Sequence, residues 1–376
     1  MEKVKKTPLY DVHVNMGGRM VPFAGWLMPV QYSGIIEEHN CVRKSAGIFD
    51  LSHMGEIFVS GVKSVEYLQK LITNDIEKLV DGRALYTVMC LESGGIVDDL
   101  LVYRIKKDEY MLVVNALNTA KVFAWMRKNL VSGVEIANKS EGTALIAIQG
   151  PLSKTIVSSL DFKNPVSIKY FEFMSNNING IDCILARTGY TGEDGFEIFF
   201  PSDYAAVLWD SIFAEAKDTG LMPVGLGARD TLRMEMGYSL YGNDITEETT
   251  PLEAGLSWVI DFNKEFIGKE ALLKQKEHGL KRKLIGVMML DRGIPRSHYK
   301  ILSGGEKVGE VTSGTMSPTL KKAIGMGYVP VELAKPGTRI DISIRKTMAE
   351  ARVVKKPFYT PKKKQTLERT EKKKIV

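Results

Sequence analysis

The sequence predicts a mixed α+β protein: antiparallel sheets with helices on one face through most of the chain, then an all-β domain. Three observations carry this. Apolar strand-like runs alternate with stretches of helical spacing, and glycine-rich turns at Gly94-Gly95 and at 191–195 mark hairpins. After the basic linker Lys281-Arg282-Lys283, short strands alternate with Gly and Pro turns (Gly304-Gly305, Ser313-Gly314, Pro318, Gly325, Pro336-Gly337), the pattern of an all-β domain ending near Phe358-Tyr359. The length, 376 residues at 44% hydrophobic, suits two or three domains.

In order, residues 21–26 read as strand and turn, and 35–45 as a helix that Gly47 can end. Residues 48–51 follow as a short buried strand, and Ser52-His53-Met54-Gly55 as a turn. His53 has no second histidine near it in sequence, so it reads as a satisfied turn residue rather than a ligand or base. A strand from Glu56 and a helix over 62–72 lead to strand 83–90, the Gly94-Gly95 turn, strand 96–103 and strand 110–115, followed by helical spacing over 121–129. Residues 143–149 form an apolar strand and 152–160 a helix; 183–200 read as a second hairpin around the turn at 191–195. Gly225-Leu226-Gly227-Ala228-Arg229-Asp230 reads as a glycine loop opening a helix. It is no dinucleotide fingerprint, since the third glycine is misplaced. Asp230 suits the positive first turn of such a helix, whereas Arg229 sits where a cation is unfavourable, a local conflict that points to a ligand or a partner carboxylate. A last helix spans 268–277.

Composition excludes several classes. Seven Lys and Arg between Lys362 and Lys374, against Glu368 and Glu371, account for five of the six net positive charges. The body therefore offers no basic stripe for nucleic acid, and 361–376 reads as a flexible basic tail. Cys41, Cys90 and Cys183 form no close pair, which fits a reducing compartment rather than a disulfide framework or metal knuckle. No apolar run is long enough to cross a bilayer and no signal segment opens the chain, so the expected location is the cytoplasm, or the mitochondrial matrix for a mature organellar form.

The chemistry concentrates in polar residues set on apolar strands. In Gly94-Gly95-Ile96-Val97-Asp98-Asp99-Leu100-Leu101-Val102-Tyr103, alternation puts Val97, Asp99, Leu101 and Tyr103 on one face and Ile96, Asp98, Leu100 and Val102 on the other. At most one aspartate can then face a given pocket. Taken alone, the pair reads as solvated or backbone-capping carboxylates at a strand edge. Glu197 repeats the anomaly between Phe196 and Phe199, where a salt bridge to Arg187 across the hairpin would account for it. Any one such residue is more often structural than functional. Together, Tyr86, Asp99, Asn115, Tyr190, Glu197 and Arg229 favour a pocket that reads a flat heteroaromatic ligand through a few placed hydrogen bonds. There is no nucleophilic triad, P-loop, metal box or flavin fingerprint.

Five motifs are more specific: Phe49-Asp50-Leu51-Ser52-His53-Met54-Gly55; Gly94-Gly95-Ile96-Val97-Asp98-Asp99-Leu100; Arg187-Thr188-Gly189-Tyr190-Thr191-Gly192-Glu193-Asp194-Gly195-Phe196-Glu197; Gly225-Leu226-Gly227-Ala228-Arg229-Asp230; and Lys355-Lys356-Pro357-Phe358-Tyr359. In this order the chain resembles, from about 7 to 359, the glycine cleavage system T-protein (aminomethyltransferase) family. The resemblance implies a three-domain cloverleaf around a central folate pocket: 1–52 with 143–242, 53–142 with 243–280, a jelly-roll-like barrel over 281–360, and the tail. It implies tetrahydrofolate as one-carbon acceptor, with no metal and no flavin. The implied partners are the lipoylated H-protein and, more loosely, P-protein and L-protein, with no nucleic acid or membrane. By the same resemblance Asp99 is catalytic, while Glu197, Arg229, Tyr86, Asn115, Tyr190, Tyr103 and Met54 bind folate or substrate, Arg229 also being free to pair with Glu197. The rivals are folate-dependent demethylases of methylated amines or sulfur compounds, and a non-enzymatic folate-binding factor. The latter's Lys-Gly-Cys motif is missing from the comparable stretch, 262–270.

Overall fold

A computed structural model describes residues 4–345 and 347–361; the expected basic tail lies outside them from Lys362 on. The chain divides into two compact units. The first takes residues up to Gly189, Asp194–Gly227 and Ile245–Leu280; the second takes Tyr190–Glu193, Ala228–Asp244 and the chain from Lys281.

The first unit is built on two larger sheets. One has five strands in the order Arg83–Cys90, Ile96–Lys106, Glu109–Val114, Gly55–Ser60, Glu135–Asn138, all neighbours antiparallel. Its inner face packs Ile57, Val59, Leu100, Val102, Leu112 and Val114 against Leu68 and Leu71 of helix Ser64–Leu71 and Val122 and Met126 of helix Thr119–Lys128. The other has six strands in the order Phe173–Ile178, Ile181–Ala186, Gly195–Pro201, Thr143–Gln149, Gly47–Asp50, Met222–Pro223. Thr143–Gln149 reads as one unbroken apolar run because strands flank it on both sides, leaving almost none of it exposed. A small third sheet joins Lys5–Lys6, Trp26–Gln31 and Arg19–Phe23.

The expected hairpins form as pairs Arg83–Cys90 with Ile96–Lys106 and Ile181–Ala186 with Gly195–Pro201. At the first turn the glycines have a steric reason. Gly94 takes a φ of +87°, and a Cβ on Gly95 would lie 1.9 Å from the Glu247 carbonyl oxygen. Strand alternation holds for Asp98, Leu100 and Val102 inward and for Asp99, Leu101 and Tyr103 on the other side. Val97 departs from it. A bulge sets Cys90 opposite Ile96 and Met89 opposite Asp98, leaving Val97 unpaired, and it packs into the inner core instead. Strands Glu135–Asn138 and Phe173–Ile178 and helix Ala205–Glu215 add to the expected elements. That helix buries Ala205, Leu208, Trp209 and Ile212.

The loop Gly225-Leu226-Gly227 opens helix Leu226–Met236 for reasons of packing. Cβ atoms at these glycines would meet the Val30 backbone at 2.4 Å and the Ile35 side chain at 2.6 Å. Asp230 therefore stands in the second helical turn rather than the first, where it pairs with Arg233 at 2.8 Å. In the second unit, Arg282–Met289, Lys322–Pro330, Glu306–Ser317, Lys300–Ser303, Arg339–Ile344 and Thr347–Val354 close into a six-stranded barrel. Its interior holds Val287, Ile301, Val311, Ile342, Ala351 and Val353. A mixed α+β body followed by a closed barrel is thus the observed fold class.

Candidate active site

The outer face of the five-stranded sheet carries most of the expected site residues. Asp99 lies beside Asn115, at the end of strand Glu109–Val114, and Leu101 pairs with Tyr86 on one side and Val113 on the other. Asp99 is half-buried and held from both sides: Tyr86 Oη donates to Oδ2 at 2.9 Å, and Asn115 Nδ2 donates to Oδ1 at 2.9 Å. These two donors fix the orientation of the carboxylate. The Tyr86 ring stacks on Trp258, with centroids 5.5 Å apart and planes at 23°.

Asp98 is a different object from the edge carboxylate expected. It is fully buried, accepting from the Asn115 backbone N–H at 3.0 Å, Asn115 Nδ2 at 2.8 Å and Asn118 Nδ2 at 2.6 Å. Burial first, and then the neighbouring Asp99 charge, drive its proton affinity up, against the pull of these donors. One amide, Asn115, thereby bridges both carboxylates.

The six-stranded sheet meets this face at Tyr103. Its fully buried ring makes edge contacts with Phe173 and Phe199, at centroid distances of 5.3 and 5.5 Å, and its hydroxyl lies 3.3 Å from Thr188 Oγ1. Thr188 donates to Glu197 Oε2, so Tyr103, Thr188 and Glu197 form one chain of polar contacts between the sheets. Burial, then the Glu197 charge, raises the Tyr103 phenol well above its ordinary value. Backbone bonds from Ala84 N to Phe171 O and from Phe173 N to Gly82 O, both 2.8 Å, fasten the two sheets here. Arg187 is committed elsewhere: it grips Asp194 bidentately at 2.8 and 2.6 Å and donates to the Ile168 carbonyl. The cross-hairpin ion pair is therefore Arg187–Asp194. Met54, half-buried, stands just before strand Gly55–Ser60 with its N–H on the Leu51 carbonyl.

Tyr190 and Arg229 belong to the second unit and are described there. The Arg229 guanidinium lies 4.8 Å over the Tyr190 ring, which also stacks on Tyr238 at 5.6 Å; the Tyr190 hydroxyl donates to the Ser239 carbonyl. His53, expected as a turn residue, is buried and edge-on to Phe23 at 5.8 Å. Sequence reasoning passed over Asn118 and Thr188. The signals were present, since Asn118 lies one helical turn beyond Asn115 and Thr188 two strand positions before Tyr190. Among the described residues no cluster of three or more His, Cys, Asp and Glu is arranged to hold a metal, and no helix is long and apolar enough to cross a membrane.

The fold and this site define a class: an α+β enzyme with acids and amides on the facing surfaces of two sheets, followed by a β-barrel. The comparisons sharpen it. The GCVT N-terminal domain family matches residues 9–264, and the glycine cleavage T-protein C-terminal barrel domain matches residues 282–360. An aminomethyltransferase of Desulforamulus reducens is 52% identical over 360 residues, covering 96% of this chain and 99% of that protein. One of Halothermothrix orenii is 51% identical over 356 residues, covering 94% and 100%. The crystal structure of glycine cleavage system aminomethyltransferase T from Bartonella henselae superposes with a TM-score of 0.90 at 33% identity, covering 96% of this chain and 99% of that one. This chain belongs to the glycine cleavage T-protein family.

Proposed function

We propose that this chain breaks down the aminomethyl group carried on the dihydrolipoyl arm of H-protein, releasing ammonia and giving 5,10-methylenetetrahydrofolate. The observation that carries the reading is Asp99, an acid fixed by Tyr86 and Asn115 on the sheet face whose Tyr103 leads through Thr188 to Glu197. The chemistry asks for two proton movements. The methylene carbon loses its bonds to sulfur and to the amine nitrogen and gains bonds to folate N5 and N10, while the two folate N–H protons end on ammonia and the lipoyl thiol. Asp99 is suited to hold and pass one of these protons near N10, and the rate gain comes mainly from positioning and electrostatics. Glu197 is suited to accept two hydrogen bonds from the pterin N–H and amino group, a charge-assisted contact that explains an acid between phenylalanines. Met54 would pack on the ring, and Tyr190 and Arg229 stay ligand-binding residues in this reading. P-protein and L-protein would meet the same carrier, and the expected compartment is the cytoplasm, or the mitochondrial matrix for an organellar form.

The experiment is ammonia release and methylenetetrahydrofolate formation from aminomethyl-loaded H-protein, with Asp99→Asn and Asp98→Asn alongside the wild type. Turnover lost in Asp99→Asn with folate still bound, and cut only modestly in Asp98→Asn, is the expected result. A wild type that binds folate yet never releases ammonia would move the reading to a folate-dependent demethylase or a binding factor.

A further inference from the structure

Glu56 stands in strand Gly55–Ser60 with its side chain fully buried, and neither carboxyl oxygen has a hydrogen-bond partner among the described residues. Its surroundings hold it there. A Cβ on the preceding Gly55 would lie 2.4 Å from Thr119 Oγ1, so the strand is pressed against the start of helix Thr119–Lys128. The Glu56 N–H donates to Ser140 Oγ at 3.0 Å, and its carbonyl accepts from Lys139 N at 2.9 Å. Lys139 does not neutralise it: that ammonium lies over the Phe58 ring, 4.6 Å from the centroid. Strand register decides where the carboxyl points. Ile57 and Val59 face the inner core, so Glu56 takes the outer face, and its cross-strand row runs through Val113 and Leu101 to Tyr86. This is the face that carries Asp99 and Tyr103, and the Glu56 carboxyl is near enough to the Tyr103 hydroxyl to be coupled to it electrostatically, more weakly than Glu197 is.

A buried carboxyl without a partner is among the costlier groups a fold can keep. Other buried acids of the fold have donors: Asp98 three, Glu38 the backbone N–H groups of Tyr32, Gly34 and Gly225. We propose that Glu56 is a second ligand-binding acid of this site, whose carboxyl finds its missing hydrogen-bond partner in the pterin ring of bound tetrahydrofolate, an inference that rests on the folate reading above. Burial raises its proton affinity well above the ordinary carboxyl range, which favours the neutral acid with its O–H donor. The two acids then divide the ring. Glu197 accepts from ring N–H groups, and neutral Glu56 donates to a ring acceptor, which the C4 carbonyl supplies.

The test measures binding of tetrahydrofolate and of the bare tetrahydropterin fragment, without carrier protein, to wild type, Glu56→Gln and Glu56→Leu, together with thermal unfolding of each in the absence of ligand. Glu56→Leu should raise Kd at least tenfold for both ligands while its ligand-free Tm stays at or above the wild-type value. Glu56→Gln, which keeps an N–H donor, should bind within about threefold of wild type. Unchanged Kd values in Glu56→Leu would overturn the proposal, as would an affinity loss that only follows a loss of Tm across the variants. If Glu56→Leu does not fold, Glu56→Met takes its place with the same readouts. A wild type that binds neither ligand would sink the folate reading itself, whereas wild-type binding with an indifferent Glu56 would sink this inference alone.

Discussion

Buried acids in two regions of this protein are held in different ways. Away from the site, Asp50 and Asp244 face basic side chains. Asp50 Oδ2 lies 2.9 Å from His13 Nε2, with Tyr32 Oη on the other ring nitrogen at 2.9 Å, and both members of the pair are fully buried. In the second unit, Asp244 accepts from Arg233 at 2.7 Å, and Arg233 also reaches Ser313 and the Tyr238 carbonyl. At the site, neutral groups stand among the partners: amides for Asp98, a phenol and an amide beside Asp99, a threonine hydroxyl beside Glu197, while Glu56 has no hydrogen-bond partner among the described residues. A buried acid paired with a basic side chain serves the fold, whereas an acid oriented by neutral donors is better suited to meet a ligand.

This division is open to test. The largest effect is expected from Arg233→Met, which leaves Asp244 charged and buried without its countercharge; urea unfolding should show a loss of about 3–5 kcal/mol, partly restored by adding Asp244→Asn. If the double variant is no more stable than the single, the pair is not what holds that region. Next, Asp99→Asn should slow ammonia release by roughly 10²–10³-fold in single-turnover assays while leaving the unfolding midpoint within about 1 kcal/mol of wild type. A large stability loss instead would move Asp99 into the class of Asp244. Glu197→Gln should weaken tetrahydrofolate binding about tenfold, roughly 1.4 kcal/mol by titration, because an amide accepts only one of the two ring donors.

The smallest effect concerns pH. Burial opposes ionisation of Asp50, but the hydrogen bond and charge of His13, with the Ser52 N–H, hold its carboxyl below the ordinary 3.8. A depressed carboxyl contributes stability that is present above its unfolded value and lost as pH falls through its folded one. Wild-type stability should therefore drop in the window below about pH 4, and Asp50→Asn, costing about 1 kcal/mol near neutrality, should flatten that slope in acid-titrated unfolding. Equal slopes in the two proteins would show that Asp50 is not a source of acid sensitivity.

Much of this was legible in the sequence. The alternation around Asp98-Asp99 assigned the two carboxylates to opposite faces because a strand's side-chain period is fixed by its backbone. The glycine pairs marked the hairpins, since few other residues adopt the turn conformations they need, and the change of composition after Lys283 announced the barrel. The polar residues among apolar strands flagged Tyr86, Asp99, Asn115 and Glu197, because each is costly there unless it is bonded or used. Tertiary structure decided the rest. Nothing local says that Arg187 spends itself on Asp194, that Asn115 bridges two carboxylates, or that a bulge turns Val97 inward. Nothing local says that Glu56, one acid among many, has no partner among the described residues. Local periodicity decides which way a side chain points, but partnership and burial depend on which distant strand arrives opposite it, and that is settled only when the sheets pack.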